Sequence, residues 1–268
     1  MKKTNKINKI AIIGCGNMGA AILEGIYKNS KVMVCESDPK KNQLLKRKYN
    51  VTFCDVSTAI DDSQIIVLAV KPQIFPELLE EIKVFNIKDK LFVSIAAGIT
   101  TSFIEKKLGK DVRVIRTMPN LPAQVKQGIT AICGGKNLKK KDISLVADIF
   151  KEIGKTVIVE EKMIDAVTAV SGSGPAYVFL FVECFVKAAQ SLGFDAATSK
   201  ELVLQTLKGS LCLLDNCNED AGVLRSRVTS KGGTTQAALE VFAKGKFEKT
   251  FKTALLSARK RAKELSRR

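Results

Sequence analysis

Apolar positions in the first 160 residues fall into short runs, and the segments between them carry helical spacing. Lys9–Ile13 reads as a strand, followed by a glycine-rich turn and a helix to about Lys28. Lys31–Cys35 is a second strand and Pro39–Lys48 a charged helix. Val51–Cys54 reads as a short strand, Ser57–Ile60 as a helical turn, and Gln64–Val70 as a continuous β-branched run. Phe75–Lys83 has helical spacing, Leu91–Ile95 is a strand, Thr101–Leu108 a helix and Val112–Arg116 a strand. Gly128–Cys133 and Thr156–Val159 complete the set around a helix at Lys140–Ile153. Strands that are apolar on both faces and alternate with helices predict a parallel sheet covered on each side.

The pattern changes after about Glu160. Ile164–Leu192, Ala196–Cys217, Gly222–Val228, Thr234–Ala243 and Phe247–Leu265 are amphipathic, with no strand-like run among them. This predicts two domains, residues 1–160 and an all-helical 161–268.

Composition narrows the chemistry. The chain has no histidine, which excludes a Ser–His or Cys–His couple and any histidine-bearing metal site. Seven cysteines lack C-x-x-C spacing, so they read as free and mostly buried thiols, and no metal site is expected. The charge of +17 sits largely in the tails and in the KNLKKKD turn. Aromatic residues make up 6%, and no nucleic-acid module accompanies the lysines. They read as a solvated surface that also attracts an anionic cofactor or substrate. No apolar run approaches the roughly 20 residues of a membrane span. The basic start MKKTNKINKI leads into a run that is short and broken by glycines, so it reads as an arm rather than a signal peptide, and the chain as cytoplasmic.

Four features carry chemistry. KIAIIG runs into Gly14-Cys15-Gly16-Asn17-Met18-Gly19 and then into a helix, the strand–turn–helix context that a dinucleotide fingerprint requires. Gly14 permits the tight turn, Gly16 lets backbone approach a pyrophosphate, and Gly19 lets helix pack on strand. The helix N-terminus offers unpaired N–H groups and a partial positive charge. Glu36, closing the second strand, is placed to accept from both ribose hydroxyls, which suits NADH. Ser37 with Lys40 and Lys41 would instead hold the extra phosphate of NADPH, and Glu36 would also serve as a helix cap.

Other strand ends bring Ala69-Val70-Lys71-Pro72, then Ala96 and Ala97 within SIAAG, then Met118 and Asn120 within RTMPN, to the edge where ligands bind open α/β sheets. Two glycine-rich segments lie in the helical half. Ser171-Gly172-Ser173-Gly174-Pro175 interrupts a helix and signals a kink or a site. Thr229-Ser230-Lys231-Gly232-Gly233-Thr234-Thr235 places backbone amides and hydroxyls at a helix start, a cradle for a carboxylate or simply a capped turn.

IAIIGCGNMGAAI, LAVKPQ, SIAAGIT, VIRTMPNLPA, AVSGSGPAYVF and VTSKGGTTQAAL, in this order, resemble the pyrroline-5-carboxylate reductase family over nearly the whole chain. The resemblance implies a Rossmann-type doubly wound parallel sheet and an all-α dimerisation domain, NADPH or NADH as cofactor, and reduction of a cyclic imine to L-proline. It implies that Ser230, Gly232, Gly233 and Thr234 hold the substrate carboxylate. It implies too that Thr235 bonds the ring nitrogen as the catalytic hydroxyl. Interlocked helices would give a homodimer, often within a decamer. The chain departs from the family pattern at Asp220-Ala221, at Lys231 where proline is usual, at Leu224-Arg225-Ser226 and at Leu121. These departures keep two other readings open: a related reductase acting on another ring, or a dinucleotide-binding regulatory protein.

Overall fold

The computed structural model describes residues 9–266. The basic arm read in residues 1–8 lies outside them, as do Arg267 and Arg268. The order is β1 (Ile10–Ile13), α1 (Asn17–Ile26), β2 (Val32–Cys35), α2 (Pro39–Lys48), β3 (Thr52–Phe53), α3 (Val56–Asp62), β4 (Ile65–Leu68), α4 (Phe75–Lys83), β5 (Leu91–Ser94), α5 (Thr101–Leu108), β6 (Arg113–Met118) and β7 (Gly128–Gly134). Then come α6 (Asp142–Lys151), β8 (Gly154–Ile158), α7 (Ile164–Val167), α8 (Gly174–Ser191), α9 (Ala196–Asn216), α10 (Ala221–Arg227), α11 (Thr234–Lys244) and α12 (Phe247–Leu265).

The strands form one sheet in the order β3-β2-β1-β4-β5-β6-β7-β8. The alternation of side chains explains why the central strands β1, β2 and β4 are apolar throughout. Ile10 and Ile12 of β1 pack on one face with α1 and α6, while Ala11 and Ile13 pack on the other with α3, α4 and α5. The same alternation holds in β4, so both faces are covered and the sheet is doubly wound.

The expectation of an all-parallel sheet needs one correction. β6 and β7 are antiparallel, with Arg116 opposite Cys133 and Met118 opposite Ala131. The 3₁₀ turn Leu121–Val125 and left-handed Lys126 (φ 58°) reverse the chain between them, too short a link for a crossover helix. The antiparallel partner also carries β6 on to Met118, beyond the Arg116 expected. β4 stops at Leu68, short of the expected Val70, and Ala69 and Val70 turn instead onto Gly14.

Contacts divide the chain into two compact units. One runs to Ser173 and takes in the chain again from Ala258, and the other is Gly174–Ser257. The second unit contains α8 to α11 and the first half of α12. Its only buried residues are Ala189, Ser199 and Val203. Val178, Phe179, Leu180 and Phe242 are all exposed, Leu180 by 60%. So little burial cannot offset the chain entropy of ordering these helices.

The apolar stretch Glu161–Ser191 corrects another expectation, because it is long and apolar enough by length and composition to cross a membrane. Ser171–Pro175 had hidden this by breaking the run: Thr168–Gly172 forms a π-helical turn there, with Ser173 N–H bonded to Thr168 C=O at 2.8 Å. The cysteines are free, but they are not mostly buried. Cys15, Cys35 and Cys133 are buried, whereas Cys184 and Cys212 are exposed on helices.

Candidate active site

The strand order reverses between β1 and β4, and the crevice beyond their carboxyl ends is where ligands bind such sheets. Gly14 turns there at φ 88°, and a Cβ on it would lie 2.9 Å from the Ala69 carbonyl and 2.8 Å from Val70 Cγ1. Gly19 packs α1 onto the Gly14 carbonyl, leaving no room for a side chain. Gly16 differs: it caps α1 without a side-chain hydrogen bond, and a Cβ on it would meet nothing within 4 Å. Asn17, Met18 and Gly19 therefore begin a helix whose first amides have no intrahelical acceptor, with open space beside Gly16 and no acidic residue in the first turn. This arrangement fits a pyrophosphate.

Glu36 is not the helix cap. Asp38 caps α2 through Lys40 N–H at 2.9 Å and Lys41 N–H at 3.3 Å. The Glu36 carboxylate instead accepts from Cys15 N–H and Asp38 N–H, each at 2.9 Å. It thus braces the glycine-rich turn, a role the sequence reading did not include. Each oxygen retains a lone pair for a further donor. Burial, and then the neighbouring Glu36 charge, push the Cys15 thiol up to about 12, so it is an unreactive packing group. Ser37 is exposed beside this strand end, with Lys40 and Lys41 on the first turn of α2.

Ala69 and Val70 abut Gly14, and exposed Lys71 precedes the 3₁₀ turn that Pro72 opens. Pro72 and Ala97 line a cavity of about 620 Å³ with Gly98, Phe103, Leu265 and Ser266, and Ala96 is buried behind it. Two of the expected cofactor residues also have structural neighbours, one through a hydrogen bond and one through close packing. Asn120 Oδ1 accepts from Ile129 N–H at 2.9 Å, and a Cβ on Gly172 would meet Met118 Cε at 2.6 Å. The SGSGP segment is therefore a kink with close packing, and its Ser171 hydroxyl donates to its own helix at Val167 C=O.

In the second unit, the TSKGGTT turn opens α11. Gly232 adopts φ 72°, and Gly233 caps the helix with no side-chain bond. The Gly233 amide donates to Ser230 C=O at 3.0 Å, and the Ser230 hydroxyl lies where a Cβ on Gly233 would be. The amides of Thr234 and Thr235 have no intrahelical acceptor, and Thr234 is exposed with Thr235 half-buried. Uncapped amides and three hydroxyls are donors of the kind that suit a small carboxylate.

The family model described as pyrroline-5-carboxylate reductase dimerisation matches residues 161–265. One described as NADP oxidoreductase, coenzyme F420-dependent, matches residues 9–98. Pyrroline-5-carboxylate reductase 2 of Bacillus subtilis is 34% identical, over 97% of this chain and 95% of its own length. The chain belongs to the pyrroline-5-carboxylate reductase family. Solved members agree in fold. The enzyme from Coxiella burnetii superposes with a TM-score of 0.90 at 35% identity, covering 97% of this chain and 99% of its own. That from Plasmodium falciparum, solved with NADP bound, gives 0.87 at 30% identity, covering 97% and 99%.

Family membership accounts for the bare helices, since the segment that buries so little is the one matched by a dimerisation model. The structure also reveals residues that the family motifs did not single out. Arg116, 2% exposed in β6, lies 3.3 Å from Glu161 and 3.8 Å from Asp165. Glu161 accepts from Thr101 N–H at 2.8 Å and its hydroxyl at 2.6 Å, and Ser266 donates to Asp165 at 2.8 Å. The available signal was an arginine directly following the buried pair Val114 and Ile115 in a strand. Gln236, beside Thr235, is a second such residue: its Oε1 accepts from Gly232 N–H at 2.8 Å.

Proposed function

We propose that this chain reduces L-1-pyrroline-5-carboxylate to L-proline with NADPH or NADH, the last step of proline biosynthesis. The observation that carries the proposal is kinship over 97% of the chain, with both glycine turns kept as uncapped helix N-termini. In this reading Gly14–Gly19 holds the pyrophosphate, Ala69–Pro72, Ala96, Ala97, Met118 and Asn120 line the remainder of the cofactor, and Glu36 or Ser37 meets the adenosine ribose. The bound nicotinamide supplies the hydride. Ser230 and the amides of Thr234 and Thr235 fix the substrate carboxylate on a turn shaped by Gly232 and Gly233, which orients the ring. Thr235 donates a hydrogen bond to the ring nitrogen. As C5 gains the hydride, the C=N electron pair moves onto nitrogen, which takes up a proton. The Thr235 hydrogen bond draws electrons from the C=N bond toward nitrogen, and solvent makes good the proton as the nitrogen becomes an amine, so a hydroxyl suffices here without histidine.

The division of labour falls near residue 160, with cofactor residues before it and the helices after it. The bare apolar faces of α8 and α9 support a homodimer, while a decamer of such dimers and a cytoplasmic location follow the family resemblance alone. Light scattering on the purified chain tests this, and a monodisperse monomer would contradict it. The activity is tested by supplying racemic pyrroline-5-carboxylate with each cofactor and following both absorbance loss and proline formation. Proline appearing with cofactor oxidation is the expected result. Absence of both at saturating substrate would refute the reading.

A further inference from the structure

The TSKGGTT turn needs a left-handed Gly232, and Lys231 before it has no ring to restrict its φ. Few bonds hold its shape. Gly233 N–H bonds Ser230 C=O at 3.0 Å and Thr229 Oγ1 bonds Arg225 C=O at 2.7 Å, both from within or just before the turn. The one side chain that reaches back from α11 is Gln236. Its Oε1 accepts from Gly232 N–H at 2.8 Å, and its Nε2 donates to Glu240 Oε1 at 2.9 Å. Glu240 lies one helical turn further on, so the carboxamide is held at both ends and cannot rotate freely.

We propose that Gln236 is a positioning residue that pins the substrate turn in its carboxylate-receptive form, replacing the restraint that a φ-fixed residue at 231 would provide. The bond removes one amide of the turn, that of Gly232, from competition. It leaves those of Thr234 and Thr235, at the helix start, directed at the ligand. The effect belongs to carboxylate binding rather than to hydride transfer, because Gln236 touches the backbone of the turn. The inference rests on the reading that this turn holds the substrate carboxylate.

The test is steady-state kinetics of the full chain on pyrroline-5-carboxylate and on 1-pyrroline, the same ring without its carboxylate. Gln236→Ala should raise KM for pyrroline-5-carboxylate about fivefold, as expected for one net hydrogen bond. Its kcat should change less than about twofold, and its KM for cofactor and its use of 1-pyrroline should stay unaltered. Lys231 has a negative φ and its amide donates no hydrogen bond, so proline is compatible there. Adding Lys231→Pro to Gln236→Ala should therefore restore most of the KM. Faster amide exchange at Gly232 in Gln236→Ala gives a reading independent of rescue. Ser230→Ala separates the two levels of the argument. If Ser230→Ala raises KM for pyrroline-5-carboxylate and Gln236→Ala does not, Gln236 has no such role and the carboxylate reading stands. If Ser230→Ala alters the two substrates equally, the carboxylate reading fails and the role of Gln236 with it. A loss in Gln236→Ala that is equal for both substrates, or that Lys231→Pro does not recover, would also overturn the proposal.

Discussion

The two glycine turns are built alike and supported differently. Each ends in a glycine N-cap without a side-chain bond, Gly16 for α1 and Gly233 for α11. The first is held by distant parts of the sheet: Cys35 C=O accepts from Gly14 N–H at 2.8 Å, Glu36 binds Cys15 N–H, and Ala69 closes against Gly14. The second is held by residues within a few positions of it: Ser230, Gln236, and Arg225 and Ser226, whose carbonyls accept from Thr229. A site for the invariant part of a cofactor can be rigid and carried by the sheet. The second turn sits on helices that lack a core of their own, and it depends on local bonds.

Substituting the left-handed glycines probes this difference most sharply. Gly14→Ala combines left-handed strain with overlap against the Ala69 carbonyl, about 2–4 kcal/mol together. It should lower thermal stability and abolish measurable cofactor binding by fluorescence titration. Thr235→Ala should reduce kcat roughly a hundredfold, with cofactor affinity unchanged, if its hydroxyl serves the ring nitrogen. An equal loss of cofactor binding would move Thr235 out of the substrate half.

Gly232→Ala meets open space, so only the strain of about 1–2 kcal/mol applies. It should leave a folded enzyme with normal cofactor binding and a raised substrate KM. If it proved as damaging as Gly14→Ala, the two turns would not differ in the way described. The smallest effect is a change of preference. Glu36→Ser removes a negative charge from the ribose end and should raise the NADPH-to-NADH ratio of kcat/KM about tenfold. It should also weaken both cofactors slightly, because the brace on Cys15 is lost. An unchanged ratio would show that Glu36 acts only as that brace.

The contrast also explains what could be read in advance. β1, α1 and the turn between them were legible because the apolar period, the glycines and the helix start all lie within one short stretch. The antiparallel β7 was not, because Gly128–Cys133 reads the same in either direction and only the short Leu121–Val125 link sets its sense. In the site, the glycines and threonines were legible as motifs. Glu36 bonding across to Cys15 was not, since β2 meets the turn only after the sheet forms. Gln236 lies within VTSKGGTTQAAL, but nothing in the sequence shows that its side chain folds back four residues onto the Gly232 amide. The exposure of α8 and α9 was hidden for a further reason: amphipathic spacing shows that a face is apolar, not which molecule covers it.

Hydride transfer to C5 of the imine is the central claim, and an isotope measures it directly. The purified chain should be given pyrroline-5-carboxylate with NADPH or NADH carrying deuterium at both positions of nicotinamide C4. The account predicts L-proline with a single deuterium, located at C5. Oxidation of the cofactor with unlabelled proline, or no proline at all, would contradict it.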